Sequence, residues 1–543
     1  MKAIEKQHSF MSSVMSILIA QIVVKLLGFL YRIVITNIDG FGDAGNGYYN
    51  AGFQFYTLLL AISSVGIPNA ISKLTAGAAA RGDRARAHMI FRTALWLFLG
   101  IGLVCSCLLY MGADFIALTV IKMDGVQYTL KALAPSILFV CLSSVIRGYF
   151  MGLGNASPTG RSQMLEQALK SSMTIIFVMV LSAYSAKVMS AGANLATSVA
   201  TLFSFGYLLC YYLRRRSGIL EGMETDMSLG KREFLHYAKA ILFMSIPISF
   251  SSIIMSAGRV VDTATITRGI AKAFAFGIPG EVGIPTAAEL NSKAVELAGM
   301  LAKSDPLTNL PLALNVAFAS VLVPTISAAI AKGDRQEANS KISFSMLISI
   351  LIILPCMTGL ILFAKPIFLM IYPGAPDGWQ LLQISAAGMA FAAMDQTLCG
   401  SLQGLGKVLV PAKALMIGVL VKIALNLTLI PITGINIYGA AISSVVCHGL
   451  ACTICYRSLK KELSLPLELK KYFLKPAAAC LIMAAVSAAC YLLVFQLTQS
   501  NRIALLAAIL FAVVIYAIAV LSMKILNEEE LKQLPLVNKL RSK

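Results

Sequence analysis

Charge is scarce in this chain. Only 13% of its 543 residues are Asp, Glu, Lys or Arg, and the acids are the rarer sign, 25 against 45 basic residues. Tryptophan occurs twice and histidine four times, at His8, His88, His236 and His448. Scattered in this way, the histidines suggest no metal cluster. Catalytic motifs are missing as well: there is no H-E-x-x-H and no nucleophile elbow. The one glycine-rich candidate, Gly400 to Val408 (GSLQGLGKV), lacks the phosphate-loop spacing and has no Ser or Thr after Lys407. With no carboxylate or metal-binding loop for an aqueous reaction, the chain reads as a non-enzyme, and a membrane glycosyltransferase is disfavoured on the same ground.

What fills the chain is apolar. Hydrophobic residues make up 58% of it and the mean hydropathy is +0.80, the composition of an all-α polytopic membrane protein rather than of a soluble domain. The net charge of +20 points to no nucleic acid, because the basic residues fall mostly in short loops on one side. These include Lys2 and Lys6, Arg81, Arg84 and Arg86, Arg214 to Arg216, Lys332 and Arg335, Arg457 to Lys461, and the tail. By the positive-inside rule this side is cytoplasmic and both termini lie there. A bacterial cytoplasmic membrane, multi-pass, is the expected location. The first span is too long for a secretory signal and is expected to stay as an anchor. Eleven cysteines lie mostly inside apolar spans. The C-x-x-C of Cys452 and Cys455, with Cys447 and His448 before it, reads as small-residue packing; no metal site is expected, since zinc needs four converging ligands.

Fourteen spans are predicted, the first at 10–38 and the last at 502–525. The eighth, 292–330, is too long for one straight crossing, and Pro306, Pro311 and Pro324 predict a bend in it. The chain repeats itself. Ala80-Arg81-Gly82-Asp83-Arg84 recurs as Ala331-Lys332-Gly333-Asp334-Arg335, 251 residues on, and Gly152-Leu153-Gly154 recurs as Gly404-Leu405-Gly406, 252 residues on. Spans 1–6 and 7–12 are therefore two copies in one orientation, with 13–14 added. The predicted divisions are an N-lobe at 1–215, a linker at 216–235, a C-lobe at 236–457, a linker at 458–471, the added pair at 472–525 and a tail at 526–543. Transporters built from parallel repeats place substrate between the halves.

Several ionisable residues sit at membrane depth, where insertion scales put the cost of a charge at about 2.5–3.5 kcal/mol and function is the default reading. In the first span, Lys25 and Arg32 lie two turns apart on one face, about 10 Å along the axis, with Gln21 and Gly28 on the same stripe. They form an anion-holding cavity, or else Lys25 pairs with an acid and Arg32 snorkels. Arg147 closes the fourth span. The fifth carries Gln163, Glu166, Gln167 and Lys170 as a polar stripe, with Glu166 and Lys170 an i,i+4 pair near a span end. In the seventh, Arg259 and Asp262 are three apart: they neutralise each other, or Asp262 binds a coupling cation. Lys422 and Asn426 share a face of the eleventh span, and Asp395 is a further carboxylate in the tenth. Oxygen donors such as Asp262 and Asn426 suit sodium, and the membrane potential is the other energy source; no other cofactor is expected.

These residues resemble a known family. Lys25-Leu26-Leu27-Gly28-Phe29-Leu30-Tyr31-Arg32 followed by Gly45-Asn46-Gly47-Tyr48-Tyr49, Arg147-Gly148-Tyr149-Phe150 with Pro158-Thr159, and Leu322-Val323-Pro324-Thr325-Ile326-Ser327 are similar to signatures of the stage V sporulation protein B and polysaccharide-biosynthesis branch of the MOP flippase superfamily. The resemblance implies fourteen helices, two six-helix lobes in a V shape and two C-terminal helices that groove a lipid tail. It implies a MurJ-type flippase of an undecaprenyl-linked anionic glycolipid, lipid II, with Lys25 and Arg32 matching its first-span cations and Asp262 its sodium-linked carboxylate. Arg147, Glu166, Lys170, Arg259 and Lys422 complete the candidate substrate contacts. The chain departs from some members in having no basic residue at Phe55–Leu60, and in the eighth span the nearest is Lys303, displaced from the pattern. A flippase for another lipid-linked oligosaccharide and a multidrug or cation antiporter are the alternatives; a non-transporting scaffold would not need Lys25 and Asp262 at membrane depth.

Overall fold

The computed structural model describes residues 23–61, 66–220, 230–280, 283–407, 409–463, 468, 470–527 and 530. The start of the first span with Gln21, parts of both expected linkers and most of the tail lie outside these residues. Among the described residues every regular element is a helix. In order these are α1 (residues 23–36), α2 (Gly42–Ala61), α3 (Ile67–Ala79), α4 (Arg84–Phe115, running into a wider π turn at Ile116–Ile121), α5 (Val126–Gly152), α6 (Ser157–Val180), α7 (Ala186–Leu220), α8 (Lys231–Ala273) and α9 (Ala287–Ala302). There follow α10 (Ser304–Ala331), α11 (Arg335–Leu362), α12 (Ala364–Ile371), α13 (Trp379–Gly404), α14 (Leu409–Leu429), α15 (Ile437–Glu462), α16 (Lys475–Thr498, preceded by a π turn at Lys470–Leu474) and α17 (Asn501–Ser522). Among the described residues eight helical stretches, such as Val126–Gly152 and Asn501–Ser522, are long and apolar enough to cross a membrane. Together with the relatives reported below they make this a multi-pass helical membrane protein.

The repeated sequence motifs fold into repeated turns. Gly82 and Gly333 both adopt left-handed backbone, φ 77° and 78°, and the next residue, Asp83 or Asp334, caps the following helix by accepting the N–H of Arg86 or Glu337 at 2.8 Å. Gly154 and Gly406 likewise sit at φ 82° and 78°. Around each the same hydrogen bonds close the preceding helix, Asn155 N–H to Phe150 O at 2.9 Å and Lys407 N–H to Leu402 O at 2.8 Å. The two sequence copies specify one turn, because glycine alone tolerates the left-handed position without strain.

The chain divides into two compact units, one of Met1–Ala302 with Ile423–Ala440 and one of Lys303–Lys422 with Ala441–Lys543. In the first, α8 packs on α2, α3 and α4, and α9 packs on α2. Gly47 and Gly299 make the α2–α9 approach possible: a Cβ on Gly47 would strike the Val295 backbone, and one on Gly299 the Asp43 backbone. The core runs through α4, α5 and α7 and includes a stack of Phe91 on Tyr149 at 4.4 Å. Arg268 donates to the carbonyls of Thr119 and Val120 at 3.2 Å, satisfying the end of the π turn.

The second unit explains the eighth span. The helix breaks at Lys303, between α9 and α10, rather than at a proline; Pro306 lies in the first turn of α10, and Pro311 and Pro324 continue within it. Lys303 is 1% exposed and donates to the carbonyls of Ala375 and Asp377 at 2.6 and 2.8 Å. Its charge thereby closes the loop after α12, a short helix that periodicity did not reveal. The hairpin of α16 and α17 is tied in by Tyr516 Oη to Leu351 O at 2.9 Å and Asn501 Nδ2 to Pro366 O at 3.0 Å. Lys475 donates to Met523 O at 2.9 Å. Much of the rest of the hairpin surface is exposed and apolar, with Leu481, Leu497, Leu510 and Val513 outward.

Candidate functional site

Within the first unit, α1, α2, α6 and α8 gather most of the membrane-depth cations. Arg32 is buried, with its guanidinium carbon 4.4 Å from the centre of the Tyr49 ring. Tyr49 is fixed by a 3.0 Å hydroxyl–hydroxyl bond to Tyr31. Among the described residues Arg32 Nη1 is buried with no hydrogen-bond partner, and no carboxylate neutralises the group. Arg32 does not snorkel. On α6, Lys170 places its ammonium 4.2 Å from the Phe53 ring centre, and α6 holds against α1 through Ser171 Oγ to Leu27 O at 3.5 Å. Lys25, two turns before Arg32, is exposed and lies within electrostatic reach of Arg259 on α8, also exposed. Two like charges are thus brought within reach of one another. Cation–π contacts hold the side chains while leaving N–H groups to donate.

Arg147 and Glu166 have a different setting. Arg147 is 9% exposed; its Nη2 meets Glu166 Oε2 at 2.7 Å and Ser204 Oγ at 3.0 Å, and its Nε meets Ser162 Oγ at 3.0 Å. One side chain bolts α5 to α6 and α7, and its charge is cancelled. Glu166 therefore pairs with Arg147 and not with Lys170, as the i,i+4 spacing had indicated, because a forked guanidinium offers the carboxylate a stronger and more fixed partner than a flexible ammonium.

The oxygen donors form a second cluster. Asn426, fully buried, donates from Nδ2 to Asp262 Oδ1 and to Thr265 Oγ1, both at 2.9 Å. Arg259 donates to Ser256 Oγ at 3.3 Å. Asp262 and Asn426, 164 residues apart in sequence, are thus direct neighbours. Lys422, one turn before Asn426 on α14, is buried.

Sequence reasoning missed the aromatic supports Tyr31, Tyr49 and Phe53, the hydroxyl of Thr265, and the serines that seat Arg147. The signal for the first two lay in the motif itself, where Tyr31 adjoins Arg32 and Tyr49 ends the G-N-G-Y-Y run.

A profile of the polysaccharide biosynthesis protein family matches residues 10–330. The chain belongs to that family. A second profile, that of the lipid II flippase MurJ, matches residues 292–527 of this polysaccharide biosynthesis protein. It is 25% identical over 535 residues to stage V sporulation protein B of Bacillus subtilis (strain 168), covering 98% of this chain and 99% of that one. It is also 25% identical over 431 residues to the lipid II flippase MurJ of the same organism, covering 75% and 74%. Among solved structures, lipid II flippase MurJ in an inward closed conformation superposes with a TM-score of 0.68 at 16% identity, covering 93% of this chain and 98% of that one. That likeness establishes a shared polytopic helical fold. This family member therefore sits in the stage V sporulation protein B and MurJ-like branch of the MOP superfamily, and its Arg32 and Tyr49 lie inside the matched region.

Proposed function

We propose that the protein is a flippase that moves a polyprenyl-pyrophosphate-linked peptidoglycan precursor, lipid II, from the inner to the outer leaflet by alternating access. The observation that carries this reading is the Arg32 guanidinium, buried on an aromatic ring with an unused N–H. A buried donor of that kind is costly unless something accepts from it. A pyrophosphate oxygen does so, and Lys170, Lys25 and Arg259 add positive charge to the same helices. A sugar pyrophosphate cannot enter hydrocarbon unaided, since taking bare charge out of water is costly. Fixed cations replace the lost hydration, and cations held by aromatic faces rather than by acids release the product again. The names of the relatives support a lipid-linked cargo.

In this reading Asp262, Thr265 and Asn426 form the coupling site, where sodium replaces the amide hydrogens as partner of the carboxylate. The apolar outer face of α16 and α17 takes the polyprenyl tail. The membrane is the bacterial cytoplasmic membrane, with both termini on its cytoplasmic side. The test is translocation of lipid II in reconstituted vesicles, with and without a sodium gradient. Gradient-stimulated exposure of lipid II at the far leaflet is expected. Absence of any lipid II movement, with another polyprenyl-linked glycan carried instead, would replace the cargo.

A further inference from the structure

The second unit holds a cluster that the transport reading does not use. Asp395 and Cys399 stand one turn apart on α13, and Cys455 on α15 faces them; a carboxylate oxygen and the two sulfurs all lie within 4.8 Å of one another. Asp395 is 3% exposed and Cys455 fully buried. The Cys399 thiol donates to Asp395 Oδ1 at 3.5 Å, and no described ion pair includes Asp395. A carboxylate buried in apolar surroundings against two thiols is anomalous, because thiols are weak donors and leave its charge uncompensated. Cys452 stands three residues before Cys455 on α15, half-buried.

The geometry points to a metal site: we infer that Asp395, Cys399 and Cys455 bind a divalent ion of the zinc class and so clamp α13 to α15. Zinc takes thiolate and carboxylate ligands in a tetrahedron, with metal–ligand distances of about 2.0–2.3 Å and hence ligand-to-ligand edges of about 3.3–3.8 Å. Side chains already within 4.8 Å reach those edges by small χ rotations. Two sulfurs exclude sodium, magnesium and calcium, which take oxygen donors. The carboxylate and the two thiolates supply three bonds, and the fourth position is left for a water, as in open zinc sites. Thiol protons leave as the ion enters. The cluster lies near the polar end of these helices. Cys399 is five residues, about 7.5 Å, from the end of α13 at Gly404, and there Lys407 and Glu462 form an ion pair at the surface.

The test uses the reduced, metal-stripped full-length protein in detergent, titrated with Co2+ and then with Zn2+. A thiolate-to-cobalt charge-transfer band is expected that saturates at one ion per chain and is bleached by Zn2+. It should vanish in C399S/C455S, weaken at least tenfold in D395N, and persist in C490S, whose sulfur lies on α16. Each single serine variant should lower the band intensity, and metal-free melting curves of all variants should match the parent, which separates ligation from folding. No band in the parent, an equal band in the double variant, or a Cys399–Cys455 disulfide forming in its place under reducing conditions would overturn the metal site.

Discussion

Replacing Arg32 separates a binding role from a folding one. Its polar contacts within the protein are few: the ring of Tyr49 at 4.4 Å is worth about 0.5–2 kcal/mol, and Nη1 has no hydrogen-bond partner among the described residues. Removing the guanidinium also removes a buried charge, so Arg32→Gln should change stability by no more than about 1–2 kcal/mol. Toward a pyrophosphate the loss is larger. One charge-assisted hydrogen bond contributes about 1.5–3 kcal/mol, which is roughly 10–150-fold in affinity. Arg32→Lys keeps the charge and loses the fork, and should fall between the two. The assay pairs thermal melting in detergent with binding of an isoprenyl pyrophosphate in nanodiscs, followed by vesicle transport of lipid II. Tyr31→Phe serves as a companion, since it loosens the 3.0 Å bond that holds the Tyr49 ring and should weaken binding by a smaller factor. Parent-level binding and transport by Arg32→Gln would refute the argument, as would a loss of melting temperature large enough to account for the whole defect.

Arg147 should behave in the opposite way. With side-chain exposures of 10% and 27% for Arg147 and Glu166, Arg147→Leu strands a partly buried carboxylate and should destabilise by about 3 kcal/mol, the low end for a broken buried pair; the double Arg147→Leu/Glu166→Leu should regain most of it, as read by thiol-dye melting. For the proposed coupling site, Asp262→Asn should retain substrate binding and lose dependence on the sodium gradient in vesicles. Gradient-dependent transport restored by adding Arg259→Gln would make Asp262 a counter-charge only. Gly154→Ala and Gly406→Ala meet no atom within 4 Å, so each should cost only the left-handed backbone penalty, about 1–2 kcal/mol, and by similar amounts in a melting experiment. A large difference between them would show that the two turns carry unequal load.

What was legible in the sequence depended on how local the cause was. Helix after helix follows from apolar runs, and the two pairs of turns follow from a glycine and, in one pair, an aspartate at a fixed place. The burial of Arg32 was open, since a basic residue near a span end can reach water, and only the packing of α2 with Tyr49 decides it. Glu166 illustrates the limit. The spacing to Lys170 is written in the sequence, while Arg147, 19 residues earlier, becomes a neighbour only when α5 and α6 pack. Lys303 read as a displaced basic residue of a binding site; the carbonyls of Ala375 and Asp377, more than 70 residues on, give it a structural task. Cys399 carried no signal at all, and gains meaning from Asp395 and Cys455 alone.

The first unit is discontinuous in sequence, and this sets a timetable for the ribosome. The hydrogen bond from Asn426 to Asp262 spans 164 residues. At about 5–20 residues per second, roughly 8–33 s separate the synthesis of the two side chains. During that interval α9 through α13 and most of α14 must be made. The contacts that complete the first unit, this one and that of Thr433 with Ala273 O, therefore form while much of the second already exists, and a pause placed anywhere between residues 302 and 423 delays the completion of a unit most of whose residues were translated long before.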